Sequence, residues 1–191
     1  MDFQSARYWA REYIEAALFP GARAIDATMG NGYDTLWLCR LVGEGGRVFA
    51  FDVQPAALAA TRVRLEQAGL SSGARLFLEG HECMDAFVDA PVDAIVFNLG
   101  WLPGGAHEVT TRVETTLLAV ERALALLNPG GVLTVCIYPG HAEGLCERDA
   151  LTAWAATVDP ARFDVLSRRY LNQPNHPPEL IAVRRRPAPR A

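Results

Sequence analysis

Lysine is missing from this sequence of 191 residues, so arginine supplies all 18 of its basic side chains. A composition bias of the source genome is the favoured explanation. The alternative is that arginine is retained because its planar guanidinium group binds phosphate well. The net charge of −4 argues against broad binding of nucleic acid regardless of its sequence. A local basic patch that docks one RNA feature is compatible with the same charge.

Cysteine is also scarce, and its four residues are far apart in the sequence without any C-x-x-C pair. This spacing argues against a zinc site or a disulfide framework, so we expect no metal. No apolar run is long enough for a membrane-spanning helix, and residues 1–5 lack the basic and apolar order of a signal peptide. We therefore expect a cytoplasmic protein that does not contact a membrane.

The apolar pattern alternates between strand and helix periods along most of the chain. We predict helices over 2–18, 34–42, 55–68, 111–127 and 143–157, and strands over 23–27, 47–52, 74–78, 92–97, 132–138, 163–171 and 179–185. This order predicts a doubly wound, Rossmann-like α/β fold whose sheet is mostly parallel. The last two strands are joined by too short a loop to be parallel, so they should form an antiparallel hairpin at the sheet edge. We expect one domain over 1–191, with an N-terminal helix within 1–20 and a frayed tail over 187–191.

The segment Asp26–Thr35 joins the first strand to its helix and contains Gly30 and Gly32. Glycine permits a tight turn there and lets the backbone approach a ligand closely. The other polar segments of the chain also follow strand ends, where ligands bind in doubly wound sheets. These segments begin at Asp52, Gly80, Asn98 and Tyr138. Their common position predicts a nucleotide-like ligand at this edge of the sheet.

Two cofactors with a nucleoside can use such a loop. A nicotinamide dinucleotide fits poorly, because the third glycine of G-x-G-x-x-G is absent and Asp34 would repel a pyrophosphate at the helix start. S-adenosylmethionine has no phosphate, and its ammonium and sulfonium groups favour nearby carboxylates such as Asp26 and Asp34, although Asp34 could equally be a helix cap. Asp52 can accept both ribose hydroxyls, and His81 with Glu82 can flank the adenine. The predicted cofactor-binding residues are Asp26, Thr28, Gly30, Asn31, Gly32, Asp34, Thr35, Asp52, Gln54, His81, Glu82 and Asn98.

The end of the fourth strand is expected to carry the chemistry. Asn98-Leu99-Gly100-Trp101 occupies the position where amino-methylating enzymes have Asn/Asp-Pro-Pro-aromatic, although Leu99 and Gly100 replace the two prolines. In those enzymes the polar side chain and a backbone carbonyl hold the target nitrogen. Trp101 can stack on a base or fold onto the core.

Six segments together closely resemble the YtqB/MnmM-type family of bacterial methyltransferases. They are residues 26–35, 51–54, 80–82, 97–105, 137–141 and 172–178. The resemblance spans nearly the whole chain and implies a class I fold that uses S-adenosylmethionine. It also implies that the acceptor is the amine of 5-aminomethyl-2-thiouridine at the wobble position of tRNA. Trp101 stands where the family suggests tyrosine, and Pro139 where it suggests histidine.

The reaction needs a neutral amine, so an acceptor or base must hold it unprotonated. We predict Asn98 and His141 as catalytic residues, with His141 as the base unless it is a capping residue. The predicted substrate-binding residues are Leu99, Gly100, Trp101, Pro103 and Tyr138.

Other functions and partners remain open on the same fold. The alternatives are an rRNA or small-molecule methyltransferase, and a protein that binds S-adenosylmethionine without catalysis. Arginines at 168–169 and 184–186 could touch tRNA phosphates or form a solvated edge. A homodimer is a further candidate assembly.

Overall fold

The computed structural model describes residues 4–102, 104 and 109–187. The helices are α1 (Ala6–Ala17), α2 (Tyr33–Val42), α3 (Pro55–Gln67), α4 (Val113–Leu126) and α5 (Ala142–Ala155). The strands are β1 (Arg23–Asp26), β2 (Arg47–Phe51), β3 (Ala74–Phe77), β4 (Val92–Asn98), β5 (Leu127–Ile137), β6 (Phe163–Arg168) and β7 (Glu179–Arg185). The predicted residues 188–191 of the frayed tail and Pro103 lie outside the described residues.

One sheet contains all seven of these strands, in the order β3-β2-β1-β4-β5-β7-β6. The strands from β3 to β5 pair in parallel, whereas β7 is antiparallel to both β5 and β6. This arrangement confirms the predicted α/β sheet and its antiparallel C-terminal hairpin. The strand order reverses between β1 and β4, so the loops that follow these two strands diverge and open a crevice.

Both faces of the sheet are covered, which explains why the central strands are apolar without alternation. Ile14 of α1, Leu38 of α2 and Leu65 of α3 pack on one face. The opposite face is covered by α4 and α5, which contribute Val120 and Leu151 to the larger cluster of buried residues. Burial on both faces holds the carboxyl ends of β1, β2 and β4 in a fixed arrangement.

Most element bounds differ from the sequence prediction by a few residues, and two differences have a clear physical reason. The strand predicted from residue 132 begins at Leu127, because Asn128 Nδ2 donates to Asp93 Oδ1 at 2.8 Å and keeps the turn beside β4. The pairing of β4 and β5 shifts register there, between Val92 and Ala94. In addition, a 3-10 helix over His81–Ala86 was not predicted, since six residues are too few for a helical period to show.

The arginines of the C-terminal hairpin mostly contact their own chain. Arg168 lies 3.7 Å from Glu12 and over the ring of Trp9, Arg186 pairs with Asp164 at 2.6 Å, and Arg185 donates to a backbone carbonyl. These contacts favour the interpretation that the C-terminal hairpin is a solvated sheet edge, which is stabilised by ion pairs within the chain. A role in tRNA binding stays a prediction for these side chains.

Within the described ranges, no helix combines the length and apolar character needed to cross a membrane. The same part of the chain contains no cluster of three or more metal-ligating side chains. The four cysteines are free thiols, and Cys39 and Cys136 are buried in the core.

Candidate active site

A cleft of about 790 Å³ lies at the carboxyl ends of β1, β2, β4 and β5. The loops after these strands line it, together with the 3-10 helix that follows β3. Most predicted site residues meet there: Thr28, Gly30, Asn31, Asp34, Asp52, Gln54, His81, Glu82, Asn98, Leu99, Gly100, Trp101, Tyr138 and His141. Asp26, Gly32 and Thr35 do not line the cleft, and Pro103 is not among the described residues.

Asp26 lies beneath the glycine loop and is fully buried, contrary to the expectation that it faces a cationic cofactor. Its carboxylate accepts hydrogen bonds from Thr35 Oγ1 at 2.6 Å and from the Thr28 backbone N–H at 3.3 Å. Burial, reinforced by the charge of Asp34, raises the pKa of Asp26 to about 7. Asp26 and Thr35 therefore fix the two ends of the loop from below.

Gly32 also has a structural role that differs from the predicted contact with cofactor. Its φ of 78° is unfavourable for other residues, and a Cβ there would lie 2.8 Å from Thr61 Cα of α3. On the same side, Thr61 Oγ1 donates to the Gly30 carbonyl at 3.0 Å, and Arg64 Nε donates to the Asn31 carbonyl at 2.7 Å. The glycine loop is thus shaped by its close packing against α3.

Asp52 follows β2 and faces the cleft from the other side of the loop. Its Oδ2 accepts from the Gly30 N–H at 3.0 Å, and its Oδ1 accepts from the Gln54 N–H at 2.9 Å. Burial raises the pKa of Asp52, while these backbone bonds oppose that shift. A carboxylate held in this way keeps lone pairs for hydroxyl groups in the cleft.

His81 opens the 3-10 helix and is 8% exposed, with its ring edge against Phe97. Among the described residues, its Nε2 has no hydrogen-bond partner. Burial lowers the pKa of His81, so the imidazole is neutral. A buried polar atom without a partner is rare in a folded protein, and this one lies at the wall of the cleft.

Asn98 is oriented by an ion cluster at the start of α2. Its Nδ2 donates to Asp34 Oδ2 at 3.0 Å, and its backbone N–H donates to Thr28 Oγ1 at 2.8 Å. Because only the amide NH₂ can donate to a carboxylate, Asn98 Oδ1 is the group left to accept a hydrogen bond. The fold therefore presents an amide acceptor at the cleft.

Asp34, which was expected to favour a cationic cofactor, is paired with two arginines of α1. Arg7 Nη2 lies 3.0 Å from both Asp34 oxygens, and Arg11 Nη2 lies 2.9 Å from Oδ1. Two guanidinium groups thus compensate the carboxylate that was expected to attract a cationic cofactor. Sequence reasoning missed Arg7 and Arg11, although their spacing of four residues places both on one face of α1.

His141 is the N-cap of α5, as the capping alternative predicts. Its Nδ1 accepts from the Gly144 N–H at 3.1 Å, so the lone pair of that nitrogen is already occupied. The Trp101 ring packs against it with centroids 4.5 Å apart. This geometry argues against His141 as a base and gives it a role in placing the indole.

Tyr138 also lines the cleft. Burial raises the pKa of Tyr138 to about 12, so its hydroxyl keeps the proton.

A family model described as "Putative rRNA methylase" matches residues 48–184, well over half of the chain. The chain belongs to this rRNA methylase family. The match begins after α1 and α2, so Arg7, Arg11 and Asp34 lie outside it.

Individual relatives resemble this member of the rRNA methylase family over most of its length. The chain is 35% identical over 173 residues to "tRNA (mnm(5)s(2)U34)-methyltransferase, chloroplastic" of Arabidopsis thaliana, and the match covers 85% of this chain and 63% of that protein. The chain therefore spans less than two thirds of that relative's length. The crystal structure of a protein described as "putative rRNA-methylase" from Clostridium thermocellum is 39% identical, with a TM-score of 0.95 over 97% of this chain and 100% of that one. A protein from Streptococcus mutans described as "a putative methyltransferase", in complex with SAH, is 35% identical, with a TM-score of 0.87 over 96% of this chain and 99% of that one. These likenesses confirm the class I methyltransferase fold.

The first prediction concerns the glycine loop. Gly32→Ala should lower the free energy of unfolding by clearly more than Gly69→Ala, because Gly69 has a similar φ of 68° but open space where an added Cβ would lie. The left-handed conformation alone costs about 1–2 kcal/mol, and only Gly32 adds a collision with α3. Urea denaturation of both variants measures the difference. Equal losses would show that packing against Thr61 does not require glycine.

The second prediction concerns Asp26 and pH. The folded protein keeps the Asp26 proton up to about pH 7, whereas the unfolded chain releases it near pH 4. Wild-type stability relative to Asp26→Asn should therefore fall as pH rises from 4 to 7. Urea denaturation at four pH values tests this. Asp149→Asn is the control because that side chain is 71% exposed, and parallel curves for wild type and Asp26→Asn would refute the assignment.

Proposed function

We propose that this protein is an S-adenosylmethionine-dependent methyltransferase that methylates the primary amine of 5-aminomethyl-2-thiouridine at the wobble position of tRNA. The observation that carries the proposal is the orientation of Asn98, whose amide oxygen is left as an acceptor beside the glycine loop. The named activity of the Arabidopsis relative supports the choice of acceptor. A cytoplasmic location with the tRNA pool goes with this proposal.

The residues of the cleft fit S-adenosylmethionine. The Asp52 carboxylate suits a ribose diol. His81 Nε2 suits the exocyclic amino group of adenine as an acceptor, because the other ring nitrogen donates to the Ala27 backbone. Both lie on the side of the cleft formed after β2 and β3, while Thr28 and Asn98 lie at the ends of β1 and β4. The cofactor, when bound, supplies an electrophilic methyl group on a sulfonium centre. The relative from Streptococcus mutans was crystallised with SAH, the demethylated product, which supports the same assignment.

Asn98 would hold the acceptor amine by taking a hydrogen bond from its N–H. An alkylamine is mostly protonated at neutral pH, and the protonated form has no lone pair for the attack. Arg7 and Arg11 pair with Asp34 and compensate its charge. A bare carboxylate beside the amine would favour the ammonium form, so this pairing helps to keep the amine neutral.

The loop after β4 would hold the nucleobase. The Trp101 indole, supported by the His141 ring, can stack on the base for about 1–3 kcal/mol. Leu99 is buried and contributes its backbone, Gly100 turns the chain with a φ of 110°, and the Tyr138 hydroxyl can donate a hydrogen bond. These contacts are the proposed basis of acceptor recognition.

Methylation of rRNA is the second candidate, because the family description names that substrate. The tRNA acceptor is preferred since the Arabidopsis relative aligns over 85% of this chain. A protein that only binds the cofactor would not need an amide held by Asp34, so the non-catalytic alternative is disfavoured.

The test of this function is methyl transfer from labelled S-adenosylmethionine to tRNA from a strain arrested at 5-aminomethyl-2-thiouridine, followed by nucleoside mass spectrometry. Label in the methylaminomethyl nucleoside would establish cofactor, substrate and acceptor atom together. Ribosomal RNA from the same strain serves as the parallel substrate. Label in rRNA and none in tRNA would overturn the proposed acceptor in favour of the second candidate.

The third prediction separates the two ends of the cleft. Asn98→Ala should lower kcat on the order of 100-fold, because it removes the group that positions the amine. Its Kd for SAH should stay within about twofold of wild type. Asp52→Ala should raise that Kd about 10- to 100-fold, since hydrogen bonds to a charged group contribute about 1.5–3 kcal/mol.

Calorimetric titration with SAH and initial rates on tRNA measure both effects. Asn98 was also predicted to bind cofactor. A large rise in the Kd of Asn98→Ala would assign it to the cofactor end and contradict its proposed role toward the amine.

A further inference from the structure

A buried carboxylate on α5 forms no ion pair with the residues that the structure describes. Glu147 is 1% exposed, and its two oxygens accept hydrogen bonds from threonine hydroxyls, Oε2 from Thr111 at 3.0 Å and Oε1 from Thr116 at 2.8 Å. Burial raises the pKa of Glu147, and these two hydroxyl bonds oppose the shift. Burying an acid without an ion pair is unfavourable, and an apolar side chain would pack α5 against α4 at lower cost. The position of Glu147 therefore calls for a role beyond packing.

The Thr111 hydroxyl connects Glu147 to the loop that follows Asn98. Its oxygen accepts a hydrogen bond from the Gly100 N–H at 2.8 Å, and the Thr111 backbone N–H donates to the Gly100 carbonyl at 3.2 Å. Both backbone polar groups of Gly100 are thus held by one residue. The next residue, Trp101, forms an isolated antiparallel bridge with Thr110.

The polarity of this hydrogen-bond chain is fixed by the carboxylate. A hydroxyl has one proton to donate and two lone pairs to accept with. Because Glu147 takes the proton of Thr111, a lone pair of that oxygen is available to the Gly100 N–H. An apolar residue at 147 would free the hydroxyl to rotate and would weaken its bond to Gly100.

A second glutamate, one helical turn earlier on α5, supports the same segment. Glu143 Oε1 accepts from the Val113 N–H at 3.2 Å, in the first turn of α4. Residues four apart lie on the same face of a helix, so Glu143 and Glu147 together fix the chain from Thr111 to Thr116. Thr111, Arg112 and Thr115 of this segment line the cleft, and of these Thr111 is the one that is hydrogen-bonded to Glu147.

We propose that Glu147 is a positioning residue that acts through Thr111 to hold Gly100 and Trp101 in place for the acceptor base. Asn98 itself is held by Asp34 and Thr28 on the other side of the cleft. Glu147 therefore governs the acceptor and leaves the cofactor end untouched. The kinetic consequence rests on the proposed function, whereas the effect on the loop does not.

The experiment compares two threonines that share one partner. Thr111→Val and Thr116→Val each remove one hydroxyl bond to Glu147, but only Thr111 is bonded to Gly100. Thr111→Val should lower kcat/KM for the tRNA acceptor about tenfold or more, with the Kd for SAH within about twofold of wild type. Thr116→Val should lower the free energy of unfolding but leave kcat/KM at its wild-type value.

Variants of Glu147 complete the design. Glu147→Leu should reproduce Thr111→Val, whereas Glu147→Gln should restore wild-type behaviour because the amide oxygen can still accept from Thr111. Hydrogen exchange at the Gly100 amide gives a readout that does not depend on catalysis. Exchange should accelerate about tenfold or more in Thr111→Val and Glu147→Leu and stay slow in the other two variants.

The outcomes distinguish the two proposals. If wild-type protein transfers no methyl group to tRNA, the proposed function fails, and the exchange pattern still decides the role of Glu147. Wild-type exchange at Gly100 in both Thr111→Val and Glu147→Leu would overturn the positioning role. Equal effects of Thr111→Val and Thr116→Val on exchange and kinetics would overturn it as well, because they would indicate a general loss of packing.

Discussion

The Asp34 carboxylate is the contact on which the geometry of the cleft depends. It accepts hydrogen bonds from two arginines of α1 and from the amide of Asn98 at the end of β4, while its own backbone lies in the first turn of α2. Its side chain is only 12% exposed, so the guanidinium groups offset much of the cost of burying it. Without Asp34 the Asn98 amide would have no group to fix its direction. The N-terminal helix is therefore part of the site, although it lies outside the family match.

Three carboxylates approach one another around the glycine loop, and each is stabilised differently. Asp26 is buried beneath the loop with hydroxyl and backbone donors, Asp34 is paired with arginine, and Asp52 is held by backbone N–H groups at the cleft. Mutual repulsion among them contributes to the raised pKa of Asp26. Of these three acids, Asp26 supports the loop, Asp34 orients Asn98 and Asp52 is available to a ligand.

The order of helices and strands, the C-terminal hairpin and the location of the cleft could be predicted from periodicity and from polar residues at strand ends. The partners of those residues could not. Arg7 and Asp34 are 27 positions apart, and Thr111 and Glu147 are 36 apart, so their hydrogen bonds leave no local pattern. The same reason explains Asp26, which has the sequence position of a ligand-binding acid but is turned under the loop by Thr35.

In the proposed reaction, one cleft holds the cofactor and presents the acceptor amine to Asn98. The decisive measurement is a crystal structure with SAH and an anticodon stem-loop carrying 5-aminomethyl-2-thiouridine. We expect the ribose at Asp52, the base against Trp101 and the amine nitrogen within hydrogen-bond distance of Asn98 Oδ1. An amine bound elsewhere on the chain, or a target base that stays outside the cleft, would contradict it.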